Sequence, residues 1–183
     1  HWSNRFMIWL ESIEIDGGSG KEALHVLISE CKNLRTSILA VTKLIRKLSQ
    51  TTAYQENVIL LKSVPGIGLL TAMIILTELE SIDRFNNLDK MCGYIGLIPS
   101  TKSSGEKERT GDITPRGHSV LRTAIIESSW TAIRNDPSLM KSYLSNCKRM
   151  ESNKAIIKIA RKLLSRVRFV LSNKKPYVCL IEK

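Results

Sequence analysis

Leu61-Lys62-Ser63-Val64-Pro65-Gly66-Ile67-Gly68-Leu69-Leu70-Thr71-Ala72 is the stretch around which this chain organises itself. Pro65 fixes one backbone dihedral and brings no N–H. Gly66 and Gly68 have no Cβ, so they permit a tight turn whose backbone N–H groups can approach a ligand closely. Apolar, helix-permissive residues flank the turn on both sides. Two helices joined by Val64-Pro65-Gly66-Ile67-Gly68 read as a helix-hairpin-helix. The second helix would point its positive N-terminal end at a phosphate and grip a nucleic-acid backbone without reading bases. The alternative is an ordinary turn between two core helices.

Outward toward the N-terminus, no Gly or Pro interrupts Lys21 to Val64. Within that run Leu24, Leu27, Cys31, Leu34, Ile38, Val41, Ile45 and Leu48 recur at three- and four-residue steps. This is a heptad seam over about four heptads, which predicts a dimerising coiled coil. The competing reading is a long amphipathic helix packed on its own domain. Gly17-Gly18-Ser19-Gly20 predicts a flexible joint, because three glycines in four residues disfavour a helix. Residues 2–15 read as a short helix carrying Trp2, Phe6, Trp9, Leu10 and Ile13.

Outward toward the C-terminus, Leu69 to Leu79 resumes an apolar helical run, and Ser81 to Gly96 reads as a turn and a short helix. Pro99 to Pro115 is polar and predicts a long loop or a small hairpin around 97–113. Three helices follow. One spans Gly117 to Asn135. The next opens at Asp136-Pro137, with Asp as N-cap and Pro in the first turn, and runs to about Met150. The last covers roughly Ser152 to Leu171, with Ile156, Ile159, Ala160, Leu163, Val167 and Val170 on one side. Lys154, Lys158, Arg161 and Arg168 line another face of it, with Lys162 nearby. That stripe either lies along nucleic acid or is a solvated face. The residues after Asn173 read as a loose tail.

The balance of charge points the same way. Among 183 residues, 28 Lys and Arg face 17 acidic residues, a formal charge of +11 with pI near 9.7. Such an excess favours a polyanionic partner, because each neutralised phosphate releases counterions. Hydrophobic residues at 43% suffice for a core. Cys31, Cys92, Cys147 and Cys179 are scattered without a C-x-x-C pair, which argues against a zinc site or a disulfide framework. No apolar run reaches the ~18 residues of a membrane span, and no signal peptide is visible. The setting expected is a reducing cytoplasm, in association with the nucleoid. The chain begins at His1 rather than Met, which predicts a segment cut from a longer protein.

Candidate chemistry sits in Ser100-Thr101-Lys102-Ser103-Ser104-Gly105-Glu106-Lys107-Glu108-Arg109-Thr110-Gly111. A serine can attack phosphorus once its proton is removed and the phosphate charge is neutralised. Lys107, Arg109, Arg116 and Arg122 are the neutralising candidates, arginine being suited to bidentate phosphate contact. On its own, Ser-Ser-Gly is a common solvated loop. His118 is a candidate general base, helix-start residue or phosphate contact. Glu78, Glu80 and Asp83 read as exposed acids at a helix end rather than a metal site.

The ordered set from Leu61 to Gly68, then Thr71-Ala72, Glu78, Arg84-Phe85, Gly93 to Pro99, Ser104-Gly105, Gly111 to Thr114, Arg116-Gly117 and Leu121-Arg122 resembles one family. It is similar to the C-terminal transposase domain of the IS-one-ten (also IS-one-sixteen) insertion-sequence transposases, densely from about Leu61 to Arg134. The resemblance implies a serine recombinase in which Ser104, with Ser103 as fallback, attacks DNA and forms a phosphoserine link. It implies phosphate contacts from Arg109, Arg116 and Arg122. It further implies a partner RuvC-like N-terminal domain whose acids bind Mg²⁺, a structured guide RNA, and dimers or higher oligomers built through a coiled coil. The chain departs from the family at His118, where Asn is usual, and at Glu80-Ser81, where Gly-Asp is usual. With no metal or cofactor expected in this segment, it should bind nucleic acid and associate through residues 24–48, yet cleave nothing by itself.

The expected architecture is therefore mainly α: a long coiled-coil arm followed by a compact helical domain with a helix-hairpin-helix and a small loop or β-hairpin. The expected boundaries are 1–16 for an N-terminal helix and linker, 21–56 for the arm, 57–172 for the transposase domain and 173–183 for the tail. The alternative function is a non-catalytic helix-hairpin-helix module for DNA binding and dimerisation.

Overall fold

The computed structural model describes residues 3–15, 17–104, 107–113 and 116–179, with backbone alone through 99–113. It is mainly α-helical. The chain divides into two compact units, His1–Lys47 and Leu48–Lys183. Among the described residues, no helix is long and apolar enough to cross a membrane.

In the first unit, α1 spans Asn4–Glu11 and α2 spans Gly18–Leu48. Ser3 caps α1 by accepting from the Phe6 N–H at 3.2 Å, and Met7 is buried. The glycine-rich segment expected to be a flexible joint instead opens α2: Gly17 takes φ +110° and the helix begins at Gly18. Glycine's entropic cost is tolerable there because first-turn N–H groups have no intrahelical partner in any case. The heptad seam divides within the helix. Leu24 and Cys31 are half-buried beside buried Ile28, whereas Leu27, Leu34, Ile38 and Val41 remain 54–68% exposed.

The helical arm expected over 21–56 stops at Leu48. The cause is local. Thr51 donates its hydroxyl to the Leu48 carbonyl at 2.8 Å, and its own N–H bonds the same carbonyl at 3.1 Å. Ser and Thr side chains compete in this way for backbone groups that a helix needs.

The second unit is built around α8 (Ser152–Asn173). Its inner face, with Ile159, Ala160, Leu163, Leu164, Val167 and Val170 wholly buried, follows the apolar spacing along the chain. Fully burying each Leu, Ile or Val contributes about 1.5–3 kcal/mol. Packed against α8 are α3 (Gln55–Lys62), α5 (Leu88–Ile95), α6 (Ser119–Asn135) and α7 (Pro137–Cys147). Helix α4 (Leu69–Leu79) packs on α3 and α6. A 3-10 turn at Ile82–Arg84 joins α4 to α5. Asp136 caps α7 by accepting from the Leu139 N–H at 2.9 Å, with Pro137 in the first turn, as the Asp-Pro pair predicts.

Strands β1 (Pro99–Ser104) and β2 (Lys107–Ile113) form an antiparallel pair between α5 and α6. The register opposes Ser104 to Lys107, Ser103 to Glu108 and Lys102 to Arg109, with an irregularity between Pro99 and Thr101.

Residues 174–179, expected to be loose, are tied to the core. The Tyr177 N–H donates to Ser63 Oγ at 2.7 Å, and Lys174 Nζ donates to Asn57 Oδ1 at 2.6 Å. The Tyr177 ring lies under the Arg166 guanidinium at 4.6 Å. This cation–π contact and the backbone bond supply anchors that composition does not reveal.

Candidate functional site

The turn between α3 and α4 packs directly on α6. Gly66 takes φ +88°, and a Cβ built there would meet the Ser128 carbonyl oxygen and, at 2.8 Å, Ala132 N and Cβ. Its bare Cα therefore serves close approach to a helix of the same chain. Ile67 is buried in the core, and Pro65 is half-buried. Gly68 differs: it caps α4 without a side-chain bond, and a Cβ there would meet nothing within 4 Å. An open groove beside it is lined by Gly68, Thr71, Glu127, Ser128, Thr131 and Asn135, and the Ser128 hydroxyl bonds that of Thr71 at 3.2 Å.

The second region is the root of the strand pair. Gly96 (φ +82°) ends α5, and Gly117 (φ +115°) precedes α6. A Cβ on Gly117 would lie 2.7 Å from Gly96 Cα and N, so the two backbones touch where the strand pair leaves the core. The His118 N–H donates to the Tyr94 carbonyl at 3.1 Å. His118 Nδ1 accepts from the Leu121 N–H at 3.3 Å, making His118 the N-cap of α6. With Nδ1 accepting, Nε2 carries the proton and meets Glu78 Oε2 at 2.6 Å. Tyr94 donates its hydroxyl to the Glu78 carbonyl at 3.1 Å, and the Arg84 guanidinium sits 5.7 Å from the Tyr94 ring centroid. Arg122 Nη1 donates to the Arg116 carbonyl at 3.5 Å. Position 118 thus carries a capping side chain.

The predicted site residues fall into separate groups. Arg116, His118 and Arg122 gather at the N-terminal end of α6. Of Pro65, Gly66, Ile67 and Gly68, it is Gly66 that sits against its Ser128–Ala132 stretch, about 15–20 Å farther along the helix axis. The side chains of Ser103, Ser104, Lys107 and Arg109 lie outside the described residues; their backbones belong to β1 and β2. Among the described residues, no three His, Cys, Asp or Glu side chains group as a metal would require.

Sequence reading missed two pairs. Glu78–His118 bridges the end of α4 to the start of α6. The other pair is Asp136–Arg166, at 2.6 Å with the Asp136 side chain fully buried. Burial alone would raise the Asp136 carboxyl, but the Leu139 N–H and the Arg166 guanidinium together hold it below its ordinary value. Burial pushes the Tyr177 phenol up, against the opposing charge of Arg166. The Asp136-Pro137 cap was a signal for one member of that pair; nothing in the run around Arg166 marked the other.

Residues 59–145 match the family model described as Transposase IS116/IS110/IS902 family. Over that block the chain is similar to that family. It is 26% identical over 152 residues to a putative transposase of Sinorhizobium fredii, an alignment covering 83% of this chain and 35% of that protein. It is 26% identical over 163 residues to the transposase for insertion sequence element IS1111A of Coxiella burnetii, covering 87% of this chain and 44% of the relative. A 31% identity over 107 residues links it to an uncharacterized protein of insertion element IS110 in Streptomyces coelicolor, over 57% of this chain and 26% of that one. The chain thus spans less than half the length of these relatives. The family-matched block contains both the 64–68 turn and the strand pair with its glycine-anchored root.

Proposed function

We propose that this chain is the DNA-binding and serine-nucleophile part of a transposase acting in DNA transposition. The observation that carries the reading is the anchoring of the strand pair. The Gly96–Gly117 contact and the His118–Tyr94 bond fix both ends of the segment bearing Ser103 and Ser104, inside the family-matched block. A nucleophile on a fixed base meets its phosphorus with less orientational entropy to lose.

Ser104 is the nucleophile in this proposal and Ser103 its fallback. The serine oxygen forms a bond to phosphorus as its proton passes to a base. The bridging oxygen of the phosphodiester leaves and takes up a proton, and the product is a phosphoserine link. Lys107, Arg109, Arg116 and Arg122 offset the charge that develops on the phosphate. The open N-terminal end of α4 at Gly68 holds the backbone at a second point farther along α6. A RuvC-like domain with Mg²⁺ and a structured RNA complete the assembly. The exposed apolar seam on α2 is covered by the same helix of a second copy, as a sustained heptad pattern favours.

The test uses a full-length transposase carrying this sequence, with its RNA, Mg²⁺ and labelled DNA bearing the element ends. After denaturation, label should migrate with protein. The adduct should vanish in Ser104→Ala and persist in Ser103→Ala. Salt-sensitive binding without any adduct, in an assembly shown to be competent, would leave a binding module and remove the serine chemistry.

A further inference from the structure

The positive charge of this chain is not evenly spread. Residues 136–179 hold eleven Lys and Arg against two acidic residues, and so carry +9 of the total +11. Both acids are engaged locally. Asp136 is buried on Arg166, and Glu151 pairs with Lys154 at 3.6 Å. On the outer face of α8, Lys158 and Lys162 are exposed, and among the described residues neither has an ion-pair partner.

The surface is also built rather than loose. Lys162 Nζ donates to Ser142 Oγ on α7 at 2.6 Å. Arg161 is held by Asp89 Oδ1 at 2.6 Å and by the Leu97 carbonyl at 3.4 Å. Lys158, Arg161, Lys162 and Ser165, with Leu88 as floor, line a shallow groove of about 430 Å³. The apolar face of α8 is locked in the core, so the orientation of this row is fixed. Lys154, Lys158 and Lys162 follow one another at four-residue steps, about 6 Å apart along the axis. That is close to the spacing of successive phosphates along a strand. Like charges at this spacing destabilise a helix, and a bound polyanion would offset that repulsion.

We propose that the outer face of α8, through Lys154, Lys158, Arg161 and Lys162 with Ser165, is a second nucleic-acid interface that binds the phosphodiester backbone. It lies beyond residue 145, outside the family-matched block, and does not rest on the serine chemistry. It reads no bases, since cations and a hydroxyl address phosphate oxygens.

The experiment measures affinity of the full chain for a 20-base-pair DNA duplex and an RNA duplex of equal length across a salt series. The variant is K154Q/K158Q/K162Q, and the control K21Q/K43Q/K47Q removes the same charge from α2. Circular dichroism checks that both fold. Each lost phosphate contact lowers the slope of log affinity against log salt by about 0.9 on duplex DNA. The α8 variant should therefore lose about 2 to 3 units of slope and roughly tenfold in affinity at moderate salt, while the control loses much less. Loss on the DNA arm identifies DNA as the ligand, and loss on the RNA arm identifies RNA. Three results would overturn the proposal: an unchanged slope on both, an equal loss in the control, or no salt-dependent binding by the unaltered chain. Ser104→Ala should leave the slope intact, so failure of this proposal and failure of the serine reading remain distinguishable.

Discussion

Replacing Gly66 by Ala tests whether the turn at 64–68 is shaped by its own protein or by a ligand. Two costs add at this position. An L-residue at φ +88° loses about 1–2 kcal/mol from its Cβ. The new methyl also meets the Ser128 carbonyl and lies 2.8 Å from Ala132 N and Cβ, and such over-packing costs about 1–3 kcal/mol. The sum, about 2–5 kcal/mol, is a large part of the 5–15 kcal/mol that typically holds a domain. Gly68→Ala is the matched comparison. There φ is −91° and no atom lies within 4 Å of the added carbon, so only the helix cap is altered, at about 0.5–1 kcal/mol. Urea unfolding followed by circular dichroism reads both. With a slope of roughly 2 kcal/mol per molar, Gly66→Ala should lower the midpoint by about 1–2.5 M and Gly68→Ala by at most about 0.5 M. If the two variants unfold together, or Gly66→Ala is neutral, the packing of the turn on α6 is wrong.

Asp136→Ala should cost about 3–5 kcal/mol by urea titration, because Arg166 is left with an uncompensated charge in the core and α7 loses its cap. The same carboxylate sets a pH dependence. Its folded value is depressed, so its contribution is whole above the ordinary aspartate value of about 3.9 and is lost as pH falls through the lower folded value. Acid titration of Asp136→Asn should lack that component. His118→Ala should destabilise by about 1 kcal/mol through the lost α6 cap, while His118→Asn should retain most of it, since Asn caps as well; equal thermal shifts for the two would discount the cap. Gly117→Ala should perturb the strand pair more than the helices, because its methyl would strike the Gly96 backbone; amide exchange through 99–113 reads the difference.

Much of the fold was legible because the signals are local. The apolar spacing of α8, the Asp136-Pro137 start of α7 and the breakers around α5 act within a few residues of one another, and each element formed near its expected place. The strand pair between Gly96 and Gly117 was also legible as a polar insertion between apolar runs. Where the local reading failed, it failed by trusting Gly and Pro as the sole punctuation. Gly18 opens a helix, and Ser49 to Thr52, with neither residue type, closes one.

Tertiary structure decided what those residues face. Periodicity cannot say that Gly66 is bare for the sake of α6 while Gly68 is bare toward an open groove. It cannot pair Glu78 with His118, or seat Arg166 on an aspartate 30 residues away. It left residues 174–179 as a tail, although Tyr177 bonds a serine 114 positions earlier. The physical reason is one of range. Helix spacing, caps and net charge depend on neighbours along the chain and are written in the sequence itself. Close approach of backbones, burial of a charge and the docking of a terminus depend on which surfaces meet, and that is settled only when the helices pack.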